Sequence, residues 1–235
     1  KVLAQLGDSS KKPLNMRRFA MKIPGGHRPR RADDPRLVLV VGSDMDAGKT
    51  ATARRVIYSL RAMGNPVVAG KATGVASLFD ITSMFDAGAS EVLDFAALGE
   101  PTTIGLPREE VLEIFHKIFN HLRERAGPEG YVVLELADGI WFRETRLVLE
   151  DPAVRDLATD LVYASYGLLD AQHGVAVLAQ LGYAHKLRAL AGKLGSSGLL
   201  RDIVPATLER RVPVFDPMDY TTSPEVVARF FTEGC

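Results

Sequence analysis

Cysteine is all but missing: the one thiol, Cys235, is the last of 235 residues. A single thiol can close no internal disulfide and build no cysteine-based metal site. That excludes a disulfide-stapled secreted scaffold and points to a reducing, cytoplasmic setting. Long apolar runs are missing too. The longest are strand-sized, as at Leu37 to Val41, against the ~20 residues that a membrane-spanning helix needs. No membrane association is expected, and Lys1 to Ala20 contains no signal-peptide apolar core. The five histidines show no metal-ligand spacing, and neither G-x-S-x-G nor H-E-x-x-H occurs.

Net charge is absent as well, with 29 basic and 29 acidic residues. The balance hides a polarity. Residues 1–36 hold ten Lys and Arg against Asp8, Asp33 and Asp34, leaving 19 basic and 26 acidic residues for the rest. A basic arm without interleaved aromatics or a recognition fold reads as a linker, or as an arm docked on the chain's own acidic body. Nucleic acid is not the expected partner. Because the first residue is Lys, residues 1–36 are also read as the end of a preceding domain.

From Leu37 onward the pattern is regular. Leu37-Val38-Leu39-Val40-Val41 is a continuous apolar run rich in β-branched valine, as in a strand buried on both faces. A loop follows, then a helix over about Thr50 to Met63, stopped by Gly64-Asn65-Pro66. Further strands are expected at Val67 to Ala69, Glu91 to Phe95, Tyr131 to Leu136, Leu161 to Ala164, Leu187 to Ala191 and Val212 to Phe215, with a short strand-like piece at Val2 to Leu6 in the basic arm. Helices are expected over Pro107 to Arg125, from Arg143, over Leu168 to Leu181, near Leu199 to Arg210 and over Ser223 to Phe231. Strands alternating with helices predict an α/β fold, a doubly wound and mostly parallel sheet flanked by helices.

The decisive segment is Gly42-Ser43-Asp44-Met45-Asp46-Ala47-Gly48-Lys49-Thr50, between the first strand and its helix. A phosphate-binding loop belongs there, because backbone N–H groups and the helix N-terminus can surround a polyphosphate. In that role Lys49 reaches the outer phosphates, Thr50 ligates Mg²⁺, and Ala51 continues the nucleotide-contacting turn. The spacing is G-x₅-G-K-T rather than G-x₄-G-K-T, with Ser43 at the usual first glycine. Residues 37–235 therefore read as one nucleotide-binding domain of the P-loop NTPase kind.

The loop resembles the G-T-D-T-x-V-G-K-T loop of dethiobiotin synthetase, within the wider class that includes the partition ATPases. Gly70-Lys71-Ala72-Thr73-Gly74 resembles that family's K-P-x-x-[ST]-G segment, with one residue fewer in the spacing. The resemblance implies that Lys71, just after the second strand, faces phosphate and substrate. It also implies that Glu135, ending the strand Tyr131 to Leu134, binds metal. Glu135-Leu136-Ala137-Asp138-Gly139 departs from the family's E-G-x-G-G. Asp138 stands as a further metal candidate, and Asp80 or Asp86 as the acid that related enzymes place after the second strand. The chain is also similar to the nucleotide-binding half of a family with G-T-D-x-x-V-G-K loops, some members of which are described as D-amino-acid acyltransferases.

The function expected is that of an ATP- and Mg²⁺-dependent enzyme, with GTP as the alternative nucleotide. It would phosphorylate or activate a small carboxylate through Lys49, Lys71 and Glu135, as a homo-oligomer. Two other readings stand beside it. One is a nucleotide-driven switch acting on a protein partner; the other is a nucleotide-binding domain serving a separate catalytic domain. The switch reading lacks the early lysine that partition ATPases carry in this loop. Asp44 and Asp46 are expected to turn away from the nucleotide, Trp141 to pack, and Gly192 to Ser197 to border the base.

Overall fold

The computed structural model describes residues 7–208 and 211–232. The strand expected at Val2 to Leu6, the end of the Leu199–Arg210 helix and Cys235 lie outside them.

Among the described residues, six strands form one parallel sheet: β1 (Arg36–Gly42), β2 (Val67–Thr73), β3 (Val92–Asp94), β4 (Tyr131–Leu136), β5 (Asp160–Ala164) and β6 (Leu187–Ala191). Their order is β3-β2-β4-β1-β5-β6, with every pair parallel. Among the described residues, eight α-helices connect and flank them: α1 (Lys49–Ala62), α2 (Leu78–Asp86), α3 (Arg108–Ala126), α4 (Arg143–Glu150), α5 (Pro152–Leu157), α6 (Leu168–Gln180), α7 (Gly198–Thr207) and α8 (Pro224–Thr232).

Strand β1 shows why both faces need cover. Side chains alternate across a strand. Leu37, Leu39 and Val41 enter one core with Phe115 and Phe119 of α3, Val148 of α4 and Leu178 of α6. Val38 and Val40 enter the other, with Val56, Ile57 and Leu60 of α1 and Phe231 of α8. A doubly wound α/β sandwich results.

Three expectations need correction. Strand β2 does not end at Ala69 but runs on to Thr73, so Lys71 sits inside the sheet, in register with Glu135 on β4 and Asp94 on β3. A buried lysine is tolerated there because acids flank it on both sides. Helices α2 and α5 were not anticipated. Both are short, and each is capped by a side chain that accepts backbone N–H groups, Ser77 and Asp151 respectively. Val212 to Phe215 adds only one parallel bridge, Leu190 to Val214.

Residues 7–35 lie against the domain. Met21 N donates to Ala97 O at 2.8 Å, Arg17 pairs with Glu100, and Arg28 pairs with Glu124. A buried pair, Asp34 with Arg123 at 3.1 Å, anchors the segment on α3.

Candidate nucleotide-binding site

In a parallel sheet the loops at the carboxyl ends of the strands form the ligand crevice. Here the loop after β1 meets the end of β2, the start of α2, the end of β4 and the turn after β6. Together they enclose a cleft of about 550 Å³. The first turn of α1 turns its unpaired N–H groups toward this space, the arrangement that attracts phosphate.

Two glycines explain the loop's shape. A Cβ on Gly42 would lie 2.8 Å from Cγ of Lys49, so the lysine stem folds back over a bare backbone. That accounts for the additional glycine one residue before the usual position. Gly192, in the turn after β6, has φ +84° and would place a Cβ 2.1 Å from Ala47 O. The neighbouring Lys193 N donates to the same Ala47 O at 3.1 Å, pinning the loop from outside. Gly192→Ala should therefore lower unfolding free energy by about 2–4 kcal/mol and weaken nucleotide binding in parallel. Urea denaturation with a nucleotide titration would check both.

The ammonium of Lys49 donates to Asp44 O at 2.7 Å. Burial pushes Lys49 below the ordinary lysine value, against the opposing pull of Glu135 and Asp138. Asp44 is exposed, and its carboxylate accepts from Met45 N at 2.7 Å. Asp46 is also exposed, with φ +56°, and borders the cleft rather than turning from it.

The hydroxyl of Thr50 lies 3.3 Å from Glu135 Oε1 and 3.4 Å from Asp80 Oδ1. One hydroxyl proton can serve only one carboxylate at a time. Glu135 is buried, its Oε2 has no hydrogen-bond partner among the described residues, and burial pushes its carboxyl above the usual range. Lys71 opposes that rise. Three oxygens thus converge with one orphaned carboxylate oxygen beside them, an all-oxygen donor set that suits Mg²⁺. Among the described residues no cluster of three or more His, Cys, Asp or Glu could hold an ion alone. Phosphate oxygens and water would have to complete the shell.

Lys71 is not a free cation. Its Nζ lies 2.6 Å from Asp80 Oδ2 and donates to Val75 O at 3.0 Å, with both side chains of the ion pair largely buried. Asp138 borders the cleft, on a turn steadied by Thr73 and Thr145, whose hydroxyls donate to Ala137 O. Asp86, by contrast, is exposed at the far end of α2, outside the cleft. The geometry brings together Lys49, Thr50, Lys71, Asp80, Glu135 and Asp138, and leaves Asp86 out.

Phe79 escaped the sequence reading, and Lys193 entered it only within Gly192 to Ser197. Phe79 lines the cleft beside Asp80. Lys193 lines the opposite wall, with its Nζ 4.5 Å from the centre of the Tyr166 ring, while Tyr166 OH donates to Met45 O at 2.7 Å. The stretch around Lys193 was singled out only by its position after a late strand. Trp141 is exposed rather than packed, and contacts the His173 ring at 5.1 Å.

Among solved structures, the chain is similar to the signal recognition particle 54 kDa protein from Aeropyrum pernix K1 in complex with GDP. Identity is 17% and TM-score 0.51, over 87% of this chain and 49% of that one. It is also similar to HypB from Helicobacter pylori in complex with nickel, with 12% identity and TM-score 0.53, over 86% of this chain and 87% of that one. This is the P-loop NTPase fold. The chain spans about half the length of the first of these relatives. No protein-family model and no curated protein sequence matches it. No helix among the described residues is long and apolar enough to cross a membrane.

Proposed function

We propose that the chain is a Mg²⁺-dependent enzyme that binds a nucleoside triphosphate, ATP or GTP, and uses it to phosphorylate a small carboxylate. The observation that carries this reading is the convergence of Thr50, Asp80 and Glu135 beside Lys49, at the N-terminus of α1. The likeness of the Gly42–Thr50 loop and of Lys71 to dethiobiotin synthetase supports a carboxylate as the acceptor.

Little covalent work is asked of a protein in phosphoryl transfer; positioning and charge neutralisation dominate. The N–H groups of Gly48, Lys49 and Thr50 would hold the phosphates, and Lys49 would exchange its bond to Asp44 O for a phosphate oxygen. Thr50, Glu135 and Asp80 would hold Mg²⁺, and Asp138 would face its water shell. Bound Mg²⁺ would neutralise charge on the phosphate oxygens during transfer. Lys71 would hold Asp80 in place from behind and orient the acceptor acid.

The test is binding and turnover with Mg²⁺ present and absent. Thr50→Ala should keep the fold and lose most of the Mg²⁺-dependent gain in nucleotide affinity. Calorimetric titration with ATP and GTP, with and without Mg²⁺, measures this. A Mg²⁺ effect unchanged in Thr50→Ala would refute the metal assignment.

A further inference from the structure

We infer that the acceptor is an amphipathic carboxylate, with its acid at Lys71 and an apolar body on a shelf beside the cleft. This rests on the reading of the cleft as a phosphoryl-transfer site and names the class of its second substrate.

The shelf is built by two segments laced to each other. Val75 bridges Thr102, Ala76 N donates to Pro101 O at 3.0 Å, and Ile104 N donates to Thr102 Oγ1 at 3.0 Å. Residues 75–79 and 101–107 contain no charged side chain. Four large apolar groups are presented there: Val75 is 52% exposed, Leu78 79%, Phe79 65% and Ile104 54%. Contiguous exposure of this kind marks a binding surface, whereas single exposed apolar residues are ordinary.

What selects a small ligand is the shelf's continuity with the charged cleft. Phe79 belongs to both, since it lines the cleft next to Asp80. Lys71 touches the shelf's own edge, donating to Val75 O at 3.0 Å. An ammonium has three N–H donors. Asp80 and Val75 O take two, and the third would serve an acid entering the cleft that Lys71 lines. A carboxylate placed there has its remaining carbons directed along uncharged surface. A short, fully polar acid would leave that surface wet, and a cationic ligand would meet Lys71 unfavourably.

The experiment is a chain-length series of acetate, butanoate, hexanoate and octanoate. Binding is measured by calorimetry on the full chain saturated with Mg²⁺ and a non-hydrolysable ATP analogue. Affinity should rise about two- to fourfold per added methylene, the upper figure corresponding to complete burial. Hexanol should bind at least tenfold more weakly than hexanoate. The double variant Leu78→Ser/Ile104→Ser should flatten the length dependence while keeping the wild-type affinity for the nucleotide analogue. Two results would overturn the inference: no dependence on chain length, or a dependence that survives the double variant. Self-association of the wild type that the double variant abolishes would overturn it as well, by assigning the shelf to a second copy. Failure of the nucleotide analogue itself to bind would sink the phosphoryl-transfer reading first, and that outcome is read from a separate titration.

Discussion

Replacing Lys49 with methionine should abolish tight triphosphate binding and leave the ligand-free fold as stable as before. The lost contacts are charge-assisted bonds to phosphate, worth about 1.5–3 kcal/mol each. Two of them amount to roughly 10²–10⁴-fold in affinity. The ligand-free protein behaves differently, because burial holds the Lys49 ammonium below its ordinary value of 10.5. A lysine with a lowered folded value binds fewer protons in the native than in the unfolded state at alkaline pH. Its contribution to stability therefore rises with pH between the folded value and 10.5. At neutral pH it is a cost, which methionine removes while keeping the stem that lies over Gly42. The bond to Asp44 O is lost in exchange, so the net change should stay within about 1 kcal/mol of wild type. Chemical denaturation from pH 7 to 10 measures the difference between the two proteins. A large loss of stability at pH 7 would show that Lys49 holds the loop together rather than waiting for phosphate.

That part of the site was legible because it is local. A valine-rich apolar run, a glycine loop and Gly-Lys-Thr at a helix start lie within fifteen residues of one another, and each has its own physical signature. Strand β4 was equally plain, since its buried run admits no other reading, and Glu135 stands within it. The doubly wound parallel sheet, with helices on both faces, also followed from alternation of strands and helices, whereas the strand order β3-β2-β4-β1-β5-β6 did not. What could not be read is the meeting of distant acids. Asp80 reaches Thr50 only because Ser77 starts α2 where it does, and nothing local separates Asp80 from Asp86. Lys71 misled for the opposite reason. A lysine is a poor central-strand residue by propensity, so the strand seemed to end before it; the compensation from Asp80, Asp94 and Glu135 lies on other elements.

Lys71 and Asp80 accordingly yield the second large effect. Removing one member of a buried ion pair costs about 3–5 kcal/mol, because the other is left uncompensated. The two single variants should not be equivalent. Asp80→Asn leaves Lys71 beside Glu135, its register partner on β4, so a counter-charge remains. Lys71→Met leaves Asp80 close to Glu135, with Asp94 on the neighbouring strand, and gathers acids with only Lys49 to balance them. Lys71→Met should be the more damaging, and the double variant should recover much of the loss, with a coupling energy of about 2 kcal/mol or more. Millimolar Mg²⁺ should raise the melting temperature of Lys71→Met more than that of the wild type, because a cation among Thr50, Asp80 and Glu135 would replace the missing ammonium. Thermal denaturation of the four proteins, with and without Mg²⁺, tests this. Additive single losses would mean that the 2.6 Å contact contributes no coupling. Equal Mg²⁺ shifts in all four would remove Asp80 from the metal site and leave Lys71 a purely structural residue.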